Sequence, residues 1–180
     1  MTYKDMTLPR FDADTLGARL CADLRSNHAG ETGAVAIYRG MLACSRDAEL
    51  RVFAVSHLVT EERHLAVLQA WLPPAFRSRL LPVWYLSGWM LGAIAALGGR
   101  RFAFHTVRAV EQFVIRHYEA QLPKAPAEVR KLLRSLMADE AHHEADAAQR
   151  AGAAPGILTR IWSRVIGVGS ALAVACARLI

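Results

Sequence analysis

The sequence is poor in the residues that several common chemistries require. Its three cysteines, Cys21, Cys44 and Cys176, are odd in number, far apart and never spaced as C-x-x-C, so neither a disulfide framework nor a thiolate metal site is implied. Only twelve glycines are present and none builds a glycine-rich phosphate loop, so no nucleotide-binding motif is available to carry a bound electron donor. Seven prolines in 180 residues leave long uninterrupted stretches, and the alanine-rich, 53% apolar composition favours helices over strands. The N-terminus carries Lys4, Asp5, Arg10, Asp12 and Asp14 without an apolar run, unlike a secretory signal or an acid-poor transit peptide, so a cytoplasmic, reducing compartment is expected.

The length suits one domain with one core and one site, expected to span residues 1–180. Helical patterning runs from Asp14, the expected N-cap, to about residue 45, then over 47–72 until Pro73-Pro74, 101–122 until Pro123, 127–151 and 157–180. The fold class expected is all-α: a ferritin-like four-helix bundle with additional apolar helices on a membrane surface. A net charge of +6 suits an anionic partner surface, without choosing between nucleic acid and membrane.

One constellation occurs twice. The first half holds Glu31 and then Glu61 with His64; the second holds Glu111 and then Glu140 with His143. Glu31 precedes Glu61 by 30 residues and Glu111 precedes Glu140 by 29, and each lone glutamate is followed seven residues later by a tyrosine, Tyr38 or Tyr118. With nine Glu and seven His, about 0.35 Glu-x-x-His matches are expected by chance. Finding two, at matched spacing, makes coincidence a poor account.

On a helix, residues i and i+3 share a side, so each Glu-x-x-His pair can hold one metal ion. A glutamate from each of two helices plus Glu-x-x-His from each of two others is the ligand set of di-iron and di-manganese carboxylate bundles. Four carboxylates and two imidazoles suit Fe or Mn and leave the choice between them open. Asp139, just before Glu140, is a candidate to bond a ligand imidazole and fix its orientation, with a surface aspartate as the equal alternative. His28, one turn before Glu31, reads more readily as a satisfied packing histidine than as part of the site. His57, His105 and Tyr85 receive no role from spacing.

Residues 80–99 carry no charge, and by length alone they would span a bilayer. A single crossing there would put Glu31, Glu61 and His64 on the opposite side from Glu111, Glu140 and His143, so an in-plane helix is expected instead. Its bulky row Val83, Leu86, Met90, Ile94 and Leu97 should face outward and its small row Ser87, Gly88, Gly92 and Ala95 inward. The C-terminal helix, with 13 uncharged residues between Arg164 and Arg178, is expected to be too short to span and to lie on the surface. Arg77, Arg79, Arg100 and Arg101 flank the central segment where anionic headgroups would sit.

The runs Asn27-His28-Ala29-Gly30-Glu31-Thr32-Gly33-Ala34, Glu61-Glu62-Arg63-His64-Leu65, Ala109-Val110-Glu111, His117-Tyr118-Glu119-Ala120-Gln121-Leu122 and Asp139-Glu140-Ala141-His142-His143 resemble the demethoxyubiquinone hydroxylases of coenzyme Q biosynthesis. The resemblance covers nearly the whole chain. It implies that Glu31, Glu61, His64, Glu111, Glu140 and His143 are ligands to two Fe ions and that O₂ is a co-substrate. It further implies ring hydroxylation of a polyprenyl quinol by a monooxygenase and suggests NADH as the reductant. Thr32 and Gln112 depart from the residues expected there, without replacing a ligand.

The partners expected are the quinol, a peripheral contact with the cytoplasmic face of the bacterial inner membrane, a second copy of the chain and other quinone-biosynthesis proteins, with no nucleic acid. Tyr38 and Tyr118 are the candidate catalytic residues, donating a hydrogen bond or relaying electrons. A di-iron hydroxylase of modified tRNA, or a ferritin-like ferroxidase, stands as the alternative.

Overall fold

The computed structural model describes residues 8–152 and 154–180, so the charges at Lys4 and Asp5 lie outside the described residues. Among those described there are six α-helices and no strand: α1 (Ala13–Cys44), α2 (Ala48–Trp71), α3 (Leu81–Leu97), α4 (Arg100–Glu119), α5 (Ala127–Ala151) and α6 (Ile157–Leu179). The boundaries follow local chemistry. Asp47 caps α2 by accepting from the Leu50 amide at 2.9 Å, and Pro73 and Pro74 follow its end. At the start of α1 the cap is Asp12, two residues earlier than expected, because its carboxylate accepts from both the Asp14 amide and the Thr15 hydroxyl. Gly17, at φ +76°, kinks α1 one turn in, a backbone conformation that L side chains rarely adopt.

α1 and α2 form one antiparallel pair and α4 and α5 another. Tyr38 of α1 reaches back to His57 of α2, and Arg108 of α4 to Glu144 of α5. Since α2 ends beside the start of α1, the chain must return along the bundle before α4 can begin, and α3 is that return. It runs parallel to α1 at very short range: a Cβ on Gly88 would overlap the Gly33 carbonyl, and one on Gly92 the Ile37 carbonyl. Two antiparallel helix pairs joined by one long crossover make the ferritin-like bundle.

Two apolar cores sit at opposite ends. Met41, Leu50, Phe53, Phe104 and Val107 fill one, and Leu24, Leu68, Leu132, Leu133 and Leu136 fill the other. Between them lies a band of buried polar side chains, flanked at each end by packed hydrocarbon.

The faces of α3 divide nearly as the sequence indicates. Val83, Leu86, Met90, Ile94 and Leu97 are exposed and Gly88, Gly92 and Ala95 are buried. Ser87 is the exception in the small row, being exposed at the rim of a cavity described below. For α6 the expectation on length is corrected: at 23 residues it is long and apolar enough to cross a membrane by length and composition, because the apolar stretch extends past its arginines. Both of its ends are nevertheless fastened to the bundle. Trp162 donates to Thr106 at 3.0 Å, Arg178 pairs with Asp23 at 2.7 Å, and the Ile180 carbonyl accepts from Ser78 and Arg79 at 2.9 Å. Thus α6 lies along α1 and α4, with Ile161, Val165, Val168 and Leu172 exposed.

Candidate metal centre

The polar band contains all six expected ligands, each at most 4% exposed. Each pair of antiparallel helices supplies three, because Glu31 and Glu111 face the helix that carries the matching Glu-x-x-His. The six fall into two overlapping groups whose candidate ligand atoms all lie within 4.8 Å of one another: Glu31, Glu61, His64 and Glu140, and Glu61, Glu111, Glu140 and His143. Glu61 and Glu140 belong to both groups. His143 Nδ1 lies 3.0 Å from Glu61 and 3.2 Å from Glu140, and His64 Nδ1 lies 3.1 Å from Glu140.

Such a cluster is costly without a cation, since burial favours neutral acids and adjacent carboxylates repel. Burial pushes Glu31 up to about 8 and Glu111 well above the ordinary carboxylate value, with the charges of Glu140 and Glu61 adding to both. Burial also opposes ionisation of Glu61, but the His143 and His64 rings beside it outweigh that and hold it low. Burial works against protonation of His143, while Glu140 and Glu61 keep it up at about 10.

The orphaned atoms show what the cluster fits. Glu31 Oε2, both Glu61 oxygens, Glu140 Oε2 and His143 Nδ1 are buried and make no well-aligned hydrogen bond, although His143 Nδ1 lies within ion-pair distance of Glu61 and Glu140, and all belong to the overlapping groups. Two divalent cations would give these atoms partners and would balance four carboxylate charges with four positive ones. The donor set of carboxylates with two imidazoles suits Fe or Mn.

The tyrosines of the repeat cross over. Tyr38 donates to Glu111 Oε1 at 3.1 Å, and Tyr118 donates to Glu31 Oε1, so each half orients the other's lone glutamate. Asp139, 41% exposed, has its Oδ2 3.1 Å from His64 Nε2.

His28 is fully buried but lies in neither group, and its two ring nitrogens have no hydrogen-bond partner; it packs as expected but is not satisfied. Burial holds it near 4 and therefore neutral. Two residues at the centre escaped the sequence reading. His57 packs against His143 with ring centroids 4.1 Å apart and ring planes tilted by 37°, and Asp146 accepts from His57 Nε2 at 3.0 Å. Neither belongs to the repeat, so no spacing signal pointed to them.

A cavity of about 560 Å³ opens from the carboxylate side of the centre. Glu31, Glu61, Glu111, Glu140 and Tyr118 line its inner end, while neither His64 nor His143 reaches it. Its walls come from α1, α3, α4 and α6 and are mostly hydrocarbon, among them Trp84, Leu91, Phe113, Val165 and Ile166. The polar exceptions beside Tyr118 are Ser26, Asn27 and His117, tied together by bonds of 2.9 Å between Asn27 and His117 and 3.2 Å between Ser26 and His117. Burial keeps His117 neutral, near 4.

The family described as Ubiquinone biosynthesis protein COQ7 matches residues 18–177. Among similar curated proteins, the 3-demethoxyubiquinol 3-hydroxylase of Xanthomonas axonopodis pv. citri is 37% identical over 142 residues, covering 73% of this chain and 63% of the relative. That of Bordetella avium is 36% identical over 155 residues, covering 79% and 68%, and that of Nitrosococcus oceani is 31% identical over 134, covering 72% and 63%. The chain thus spans somewhat under two thirds of the length of several relatives it matches. With the match running from the first turns of α1 to nearly the end of α6, this chain belongs to the COQ7 family of ubiquinone biosynthesis proteins.

Proposed function

We propose that the chain is an O₂-dependent monooxygenase that hydroxylates the ring of a demethoxy polyprenyl quinol. Glu31, Glu61, His64, Glu111, Glu140 and His143 would hold two iron ions, Glu61 and Glu140 being common to both candidate ligand groups. The observation that carries this reading is the junction of two overlapping ligand groups with an apolar cavity whose inner end is formed by the carboxylates. The names of the relatives in three organisms supply the substrate class.

Two iron ions bound there would supply the activation of O₂ and the transfer of one of its atoms to the ring. The protein's part is binding, orientation and exclusion of water. A volume of about 560 Å³ falls within the range of small-molecule sites and admits a quinol ring with part of a prenyl tail. The hydrocarbon walls hold the tail and keep bulk water from the carboxylates, while Ser26 and His117 offer hydrogen bonds to ring oxygens. Tyr38 and Tyr118 fix Glu111 and Glu31, and Tyr118, which also lines the cavity, stands between the candidate metal ligands and the substrate space. Electrons come from a transient donor, NADH or the quinol itself.

The exposed rows lie on α3 and α6, two of the helices that wall the cavity, and they suit a peripheral seat on the cytoplasmic face of the inner membrane, from which a lipid-like substrate enters. Arg77, Arg79, Arg100 and Arg101 would meet anionic headgroups there. A tRNA hydroxylase has only the net charge behind it, and the apolar cavity is unsuited to a nucleotide; iron storage gives the cavity no role. The test is turnover of the iron-loaded, reduced chain with a short-chain demethoxyquinol under ¹⁸O₂. One labelled oxygen in the hydroxyquinol is expected, and an unlabelled or absent product would overturn the monooxygenase reading.

A further inference from the structure

The two histidines of the centre are supported by different means. His64 has the Asp139 carboxylate 3.1 Å from its Nε2. Three residues beyond His143 stands Asp146, and seven before His64 stands His57; the matching places in the opposite half hold Val67 and Leu136. His57 is 3% exposed and lies between two rings, with Phe53 at 4.1 Å on one side and His143 at 4.1 Å on the other. Its Nε2 donates to Asp146 Oδ2 at 3.0 Å, and its Nδ1 is 3.4 Å from the Tyr38 hydroxyl, which donates to Glu111. Asp146 is itself held by Arg150 at 2.7 Å. One imidazole therefore touches His143 directly and reaches Glu111 through Tyr38, the two ligands that the second group does not share with the first.

We infer that His57 and Asp146 are positioning residues for the metal ion at Glu111 and His143, doing for that position what Asp139 does for the one at Glu31 and His64. This rests on the two-metal reading above. An aliphatic side chain would fill the space between Phe53 and His143, but only an imidazole anchored through its Nε2–H to Asp146 fixes the ring that packs against His143 and sets its Nδ1 beside the hydroxyl that orients Glu111. Its loss therefore weakens one metal position rather than both. Losing a partner that orients a ligand typically costs about 10–100-fold in metal affinity.

The test is anaerobic Fe(II) titration of the metal-free full chain against a chromophoric chelator, in which the wild type takes two equivalents. In His57→Leu, which installs the residue type of the opposite half, one equivalent should weaken about 10–100-fold while the other keeps its affinity. Asp146→Asn should weaken the same equivalent by less, and Asp139→Asn the other one. Combining His57→Leu with Asp139→Asn should weaken both. If His57→Leu does not fold by circular dichroism, Asp146→Asn, at a partly exposed position, decides on the same terms. Wild-type affinity for both equivalents in the folded variant, or equal weakening of both, overturns the inference. A wild type that saturates below two equivalents overturns the two-metal reading itself, and this inference with it.

Discussion

The half of the candidate centre built on α1 and α2 and the half built on α4 and α5 offer the same candidate ligand types at nearly the same spacing, yet they are braced differently. Each lone glutamate takes a hydrogen bond from the other half's tyrosine, so the halves are interlocked at their carboxylates. At the histidines the likeness ends, with Asp139 on His64 and the tilted ring of His57 packed against His143. Ligand positions are tightly constrained because carboxylates and imidazoles must meet at one point in space. Support can come from any neighbour that fixes a ring, and so it is free to differ between halves.

Substitutions at the shared members should break both halves at once. Glu61→Ala or Glu140→Ala is expected to lower bound iron from near two per chain to less than one, measured by elemental analysis, and to abolish hydroxylation. Substitution at an unshared member should break one. Glu111→Ala is expected to remove quinol hydroxylation and one metal equivalent while circular dichroism retains the helical signal, because both apolar cores are untouched. If Glu111→Ala forms product at the wild-type rate, its assignment as a ligand is wrong.

The tyrosines sharpen the comparison on stability. In the metal-free protein, Tyr38→Phe and Tyr118→Phe each leave a buried glutamate oxygen short of a hydrogen bond, a cost of about 1–3 kcal/mol in urea denaturation. Tyr38→Phe is expected to cost the more, because His57 Nδ1 loses its neighbour as well. The smallest effect on stability concerns the crossover that joins the halves. Changing exposed Leu86, Met90 and Ile94 to polar residues should move stability by about 0.5 kcal/mol or less per site but weaken vesicle flotation. Unchanged flotation would remove the role proposed for that face.

The clustering of the six candidate ligands was legible in the sequence because the repeat encodes it, and the tyrosines because they share its helical phase. The crossover's faces were legible for a related reason: a bulky and a small row at helical spacing have few ways to pack, and the Gly88 and Gly92 contacts with α1 take the one that closes the bundle. Ser87 was misplaced because row assignment ignores the cavity at which it ends. The Asp12 cap was missed because two acids two residues apart look alike until the Thr15 hydroxyl selects one. His57 and Asp146 lie 89 residues apart and outside the repeat, so only the packing of α2 against α5 brings them together. The cavity was equally hidden, since its walls come from four helices and its shape from how α6 is fastened at Thr106 and Asp23.

The central claim is that two half-sites sharing Glu61 and Glu140 hold two metal ions. Anaerobic Fe(II) titration of the metal-free chain tests it most directly. Saturation near two equivalents, lost in the double variant carrying Glu61→Ala and Glu140→Ala, is the predicted result. Saturation at one equivalent, or stoichiometric iron retained by the double variant, would contradict it.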